Sequence, residues 1–330
     1  VVFGILRAGA WGFVNPKPGA PVWIGLSPTI WLMLGGGLVL LVFAAWEKRR
    51  VEAGQSVLID PTILRNPVLR GGLTAFLFQF LLQAGLFFCV PLYLSVALGL
   101  SAVETGIRIL PLSITLLLAA VGVPKIWPQA SPQRVARFGF LGLLAGIVSL
   151  MGALALGAGP EIVTLPLLLA GLGIGALASQ LGAVTVSSVP DEQSPEVGGL
   201  QNTFTNLGAS VGTALAGAIL VSALTTSFFT GIQDNPAIPE TLTSKAQVEF
   251  AGGIQFIPDS DLEAALSKAG ITGDTAQAIM EENSQSRIAG LRAALAALAV
   301  LAIAALFSTG SLPTRQGQSD ADAKVPAGLS

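Results

Sequence analysis

From Leu73 to Leu306 the chain alternates between apolar runs of about twenty residues and short polar joints. A helix rising ~1.5 Å per residue needs ~20 apolar residues to cross ~30 Å of hydrocarbon. The pattern therefore predicts a polytopic membrane protein, all α-helical. It gives one partial span at 1–14 and seven fuller ones at 25–46, 71–97, 104–123, 137–157, 162–188, 199–225 and 288–310. The sequence opens on Val1, already apolar, so residues 1–14 read as the tail of a span that begins upstream and the chain as a fragment.

The expected organisation follows from these runs. A helix pair occupies 1–50, its first helix incomplete, and a charged joint covers 51–70. Five spans fill 71–225, a long loop 226–287, a last span 288–310 and a disordered tail 311–330. Loops longer than ~12–15 residues usually carry function or structure of their own. This one holds two helix-start strings that resemble capping boxes, Ser260-Asp261-Leu262-Glu263 and Asp274-Thr275-Ala276-Gln277. An external loop with one or two short surface helices is expected, acting either as a solvated tether or as a lid or partner-binding element.

Orientation follows from basic residues in the joints. Lys48, Arg49, Arg50, Arg65 and Arg70 share one side with Lys125, Arg134 and Arg137, and with Arg315 and Lys324 of the tail. The alternate joints, 98–103 and 158–161, contain neither Lys nor Arg. The basic side is read as cytoplasmic, so the C-terminus is expected inside.

Composition narrows the function. Charged residues are 11% of the chain against ~25% in soluble domains, and mean hydropathy is +0.73. A net charge of −2 does not suggest a nucleic-acid surface. Histidine is absent and the one cysteine, Cys89, lies in an apolar run. No metal cluster, cofactor site or catalytic set can be assembled, so an enzyme is not expected.

Polar residues deep in a span face other helices or water. Gln79 and Gln83 share a face four residues apart; Asn202, Asn206, Ser210 and Thr213 form a second stripe, with Thr203 beside it; Gln180 and Ser187 mark a third. Each stripe either lines a solute path or bonds helix to helix. Arg108, one turn inside its span, either pairs with Glu104 or stands as a cavity cation. Arg292 is expected to snorkel. Close helix packing is expected at the small-residue pairs Gly142–Gly146, Gly171–Gly175 and Gly208–Gly212. The run Gly171-Leu172-Gly173-Ile174-Gly175 has the glycine spacing of a nucleotide loop, but an apolar helix surrounds it, so packing is its reading. Pro91, Pro111 and Pro166 are expected to kink or loosen their spans. No Asp or Glu lies in the interior of a span between 71 and 225.

Four stretches carry a family resemblance. They are Asp60-Pro61-Thr62-Ile63-Leu64-Arg65-Asn66-Pro67; Gly99-Leu100-Ser101 through Glu104-Thr105-Gly106 to Leu110-Pro111; Ser188-Val189-Pro190-Asp191-Glu192 followed by Gly198-Gly199-Leu200-Gln201-Asn202-Thr203 and Leu207-Gly208; and the long loop before the last span. In this order and spacing they resemble the fourteen-helix drug/proton antiporters of the major facilitator superfamily. The resemblance implies a C-terminal six-helix bundle plus the preceding central helix pair, in a multi-pass plasma-membrane protein. It implies export of drug-like or amphipathic small molecules by alternating access, with a proton gradient as driving force and no cofactor. The missing N-terminal six-helix half would be its partner, and would carry the coupling carboxylates. Gln79, Gln83, Arg108, Gln180, Asn202 and Asn206 would line this half of the cavity, with Phe76, Phe80 and Phe87 as apolar surface. The joint 124–138 departs from the superfamily's loop: Lys125, Arg134 and Arg137 are present, the Gly and Asp pattern is not. A transporter of one specific metabolite, or a non-transporting scaffold using 226–287 as a partner site, are the alternatives.

Overall fold

The computed structural model describes residues 2–16, 19–55, 57, 60–243, 254 and 256–314. Its helices are α1 (Val2–Trp11), α2 (Pro28–Glu52), α3 (Pro67–Leu92), α4 (Ala102–Ile126), α5 (Pro132–Ala153), α6 (Thr164–Val186), α7 (Ser194–Asp234), α8 (Asp259–Lys268) and α9 (Asp274–Ser308). Seven, all but α1 and α8, are long and apolar enough to cross a membrane. No strand occurs among the described residues.

Local chemistry sets where the spans begin. The α2, α3 and α5 helices start Ser27-Pro28, Asn66-Pro67 and Ser131-Pro132, each cap side chain accepting an otherwise free backbone N–H while proline supplies a helical φ. The α4 helix starts with a complete capping box, in which the Ser101 hydroxyl and the Glu104 carboxylate satisfy each other's backbone N–H. Glu104 and Arg108 therefore make no direct salt bridge among the described residues, although their charges still attract: the carboxylate takes the Ser101 N–H at 2.9 Å and hydroxyl at 2.8 Å. Pro91 lies inside α3, just before a wider π turn at Tyr93–Ala97. Pro166 falls in the first turn of α6, where it displaces no intrahelical bond, so no kink arises there.

The α6 helix is the spine of the bundle. A Cβ on Gly171 or Gly175 would strike the backbone of α4, at the carbonyls of Leu112 and Leu116. A Cβ on Gly173, on the opposite face, would lie 2.5 Å from the Gly139 carbonyl oxygen and the Leu143 nitrogen of α5. The glycine run thus packs two helices at once, and α4 and α5 flank α6 while barely meeting each other. The α7 helix lies along α3 through Gly208 and Gly212, which press on the carbonyls of Leu77 and Leu81. The α9 helix closes the bundle against α7, α5 and α3, and α1 rests on α7 and α2. The α2 helix leaves Leu34, Leu38, Leu40 and Leu41 exposed, a surface suited to lipid.

Among its described residues, the expected loop 226–287 is largely helical. The α7 helix continues unbroken to Asp234, and α9 begins at Asp274 rather than near 288. These polar turns have no membrane-like hydropathy, yet Ala278, Ile279, Asn283, Ser286, Arg287, Gly290 and Leu291 repeat at helical spacing and are buried. With α8 they enclose Phe228, Ile232, Ile238, Ile254 and Leu266, a core continuous with that of the bundle. We call this unit the cap. Both expected helix starts lie within a residue of the strings, but neither capping box forms; the N-cap positions are Pro258 and Gly273, without side-chain bonds. Residues 244–253 of the loop and 315–330 of the tail, including Arg315 and Lys324, lie outside the described residues.

Arg287 fastens the cap. Its guanidinium is buried, paired with Asp259 at 2.6 Å, and donates to the Ile257 carbonyl at 3.0 Å and the Ser284 hydroxyl at 3.0 Å. Asn235 donates to Glu282 at 3.0 Å, and Thr275 to the Ala237 carbonyl at 3.0 Å.

Candidate functional site

Packing fixes the depth of each polar residue. Leu77 meets Gly208 and Leu81 meets Gly212, so α3 and α7 run parallel and Asn206 and Ser210 are level with residues 75–79 of α3. Gly72 meets Thr185, and α6 runs the opposite way, which brings Gln180 level with residue 77. Gln79, Gln180 and Asn206 therefore fall within about 6 Å of one another in depth, and Gln83 and Asn202 lie one turn beyond opposite edges of this belt.

Their surroundings differ within that belt. Gln79 is buried, and its side-chain carbonyl has no hydrogen-bond partner among the described residues. Gln180 is buried and Gln83 half-buried. Asn202, Thr203 and Asn206 are exposed, opposite the face of α7 that carries Gly208, Gly212 and Ala216 into the bundle. The Asn206 amide donates to the Asn202 carbonyl at 2.9 Å and to its side-chain oxygen at 3.1 Å, and Ser210 donates to the Asn206 carbonyl at 2.8 Å. The stripe thus holds itself in order through i to i+4 bonds along one helix. Phe76 and Phe80 stack at 6.1 Å, and Phe87 is exposed.

Arg108 stands apart. The α4–α6 register, Leu112 at Gly171 and Leu116 at Gly175, sets it thirteen residues from the level of Gln180, about 20 Å at ~1.5 Å per residue. It is half-buried in a shallow pocket of about 340 Å³ with Leu100, Glu104, Ile107, Pro111 and Thr164. The six candidates are therefore a belt of three, Gln83 and Asn202 one turn to either side of it, and a separate cation near the end of the bundle where α4 begins. Arg292 reaches the Leu154 carbonyl that closes α5, so it caps a helix C-terminus rather than reaching into a path.

Sequence reasoning missed three groups. Gln201, beside the stripe, donates to the Gly182 carbonyl at 3.2 Å and to the Thr185 hydroxyl, tying α7 to α6. Glu47, the acid beside Lys48 in the last turns of α2, is buried. Asn66 does two jobs: its side-chain oxygen caps α3 through the Val68 and Leu69 N–H groups, and its amide donates to the Ser188 carbonyl at 2.7 Å. With the Asp60 N–H donating to Glu196 at 2.8 Å, this clamps the joint before α3 to the joint before α7. Asn66→Ala is expected to lower stability by about 1–2 kcal/mol, from the lost cap and an unpaired carbonyl. Asn66→Asp, which keeps the cap oxygen, should lose about half as much. Thermal unfolding in detergent checks both; an Asn66→Asp midpoint equal to that of the unsubstituted protein would show that the link to Ser188 contributes nothing, and equal midpoints for the two variants that the cap contributes nothing.

The comparisons with known proteins agree with this architecture. The family model described as Major Facilitator Superfamily matches residues 18–213, more than half of the chain. The Tetracenomycin C resistance and export protein of Streptomyces glaucescens is 31% identical over 229 residues, covering 67% of this chain and 38% of that protein. The Probable actinorhodin transporter of Streptomyces coelicolor is 25% identical over 224 residues, 67% of this chain and 37% of that protein. The Multidrug efflux pump LfrA of Mycolicibacterium smegmatis is 27% identical over 269 residues, 76% of this chain and 52% of that protein. The matched part of this chain thus spans between 37% and 52% of these relatives' length. With seven membrane-length helices and this match, the chain is a multi-pass membrane protein that belongs to the Major Facilitator Superfamily, whose members are transporters and not enzymes.

Proposed function

We propose that this chain is the C-terminal six-helix bundle, with the central helix pair before it, of a secondary transporter that exports drug-like or amphipathic small molecules. The observation that carries the reading is the exposed amide stripe of α7. Asn202, Thr203 and Asn206 lie on an outward face of a membrane-length helix, and the polar atoms that their own i to i+4 bonds leave over would cost several kcal/mol each in contact with hydrocarbon. Such a face suits a water-filled path shared with a second half, the N-terminal six-helix bundle. Gln83, half-buried, lies about 12 Å further along the bundle than Asn206, and the buried Gln79 and Gln180 fall between the two levels.

Transport then proceeds by rocking of two halves about the midplane, with Arg108 at the outer mouth. Proton coupling belongs to a carboxylate of the N-terminal half, in keeping with the lack of acid inside the spans between 71 and 225. Basic residues in the joints orient the C-terminus toward the cytoplasm. The export proteins named above support the substrate class.

The test is made in a transporter that includes the N-terminal half. Efflux of a fluorescent cationic amphiphile is followed for Gln83→Ala, Arg108→Ala and Asn206→Ala. Loss of one cavity hydrogen bond, ~1 kcal/mol, should slow efflux about five-fold for Asn206→Ala. Unchanged kinetics in all three would sink the reading.

A further inference from the structure

Because α4 and α5 flank α6 and barely meet, a gap opens between them toward the surrounding membrane. Its floor is Leu172, Gly173 and Ala176 of α6; α4 supplies one wall around Gly122, and α5 the other around Phe138. The joint at Trp127–Ala130 closes one end, and the enclosed volume is about 960 Å³. We infer that this groove seats an acyl chain of an anionic phospholipid, whose phosphate rests on Arg134.

Shape, polarity and charge select that occupant. From Leu118 to Ile126 the groove follows α4 for about 12 Å, a large part of one leaflet at ~1.5 Å per residue. Its lining is apolar except at the closed end, where Arg134 and Gln129 stand beside Trp127. The Trp127, Ile126 and Phe138 side chains are exposed at the rim, and an aromatic at this depth marks the headgroup boundary. Charge complementarity is one-sided: Lys125, Arg134 and Arg137 surround this end, while no Asp or Glu occurs between residues 105 and 160 or between 162 and 190. The acids of the three walls, Glu104 and Glu161, are at the opposite end. Arg137 is engaged with the Thr309 hydroxyl at 3.2 Å, whereas the Arg134 guanidinium has no partner among the described residues and is exposed. Basic pockets between membrane helices bind acidic headgroups in this way. The site is independent of what the protein transports.

Trp127 supplies the probe. The protein is reconstituted into phosphatidylcholine vesicles containing a small fraction of dibrominated phosphatidylglycerol or dibrominated phosphatidylcholine, and tryptophan quenching is measured. Subtracting the Trp127→Phe signal isolates Trp127. Stronger quenching by the glycerol lipid, saturating at low fraction, is expected in the unsubstituted protein. Arg134→Gln should weaken that preference about five-fold, the worth of one cation at a membrane surface. Gly122→Leu is the second variant: a Cβ there meets nothing closer than Ile126 at 3.8 Å, so leucine fills the groove without displacing backbone, and the preference should vanish. Equal quenching by the two lipids in the unsubstituted protein overturns the proposal, as does a preference unaffected by Arg134→Gln or by Gly122→Leu. Absence of Trp127 quenching by either lipid, the outcome if a protein segment fills the groove, overturns it as well.

Discussion

Gly173→Ala is expected to abolish the folded bundle, while Gly182→Ala, nine residues along the same helix, leaves it intact. The added Cβ at 173 would sit 2.5 Å from the Gly139 oxygen and the Leu143 nitrogen, both backbone atoms of α5. Backbone cannot rotate aside as a side chain can, so α5 must retreat along its length of contact with α6. That forfeits the packing of Phe140, Leu143 and Ile147, all fully buried. Overpacking costs about 1–3 kcal/mol where side chains can adjust; where backbone must move, a loss of about 3 kcal/mol or more is expected. No heavy atom lies within 4 Å of a Cβ at Gly182, so alanine there should be neutral or slightly favourable through helix propensity. The yield of monodisperse protein in detergent and its unfolding midpoint distinguish the two. A Gly173→Ala variant as stable as Gly182→Ala would mean that the α5–α6 approach is looser than described.

Arg287→Ala is expected to open the cap without unfolding the bundle. The substitution leaves the Ile257 carbonyl without its donor and a void where the guanidinium lay. Removing one member of a buried ion pair costs about 3–5 kcal/mol. The Asp259 side chain is 44% exposed and rehydrates, so about 2 kcal/mol is the better figure here. Hydrogen exchange should accelerate some twenty- to thirty-fold across residues 256–268, since ~1.4 kcal/mol is a factor of ten, and stay unchanged in α5 and α6. Asp259→Asn keeps an acceptor and should lose about 1 kcal/mol or less. Exchange in α8 as slow as in the unsubstituted protein would show that the apolar core alone holds the cap.

The seven spans were legible because hydrocarbon thickness dictates run length, and hydropathy measures that directly. In the cap the two helix starts were legible, but not its burial or the length of α7 and α9, since its faces include Asn283, Ser286 and Arg287 and a hydropathy run ends where a helix does not. At Glu104 the sequence held two competing signals, Ser101 three residues before and Arg108 four after. The hydroxyl and N–H of Ser101 are closer and fixed in direction, so the cap took the carboxylate. The glycine pairs announced close packing, but not that Gly173 points away from Gly171 toward a different neighbour.

The candidate site divides in the same way. Residue spacing identified stripes on α3 and α7. It could not tell that Gln79 turns inward and Asn206 outward, because α3 is apolar all round and offers no polar face as reference. The clamp at Asn66 was out of reach for another reason: its partner Ser188 is 122 residues away in sequence.

The unbroken run of α7 makes it a lever. Its 41 residues extend for about 62 Å, with no proline after Pro195 and no π turn to absorb bending. From Asn206 to Asp234 the arm is about 42 Å, so a tilt of about 10° at the amide stripe displaces the cap by about 7 Å. If α7 tilts as a rigid rod, a displacement too small to resolve at the stripe would arrive magnified at the cap, where a spectroscopic label on α8 would read it. The same gearing runs backward. An antibody fragment gripping the cap needs to resist only a small force, applied at the long end, to hold the stripe still.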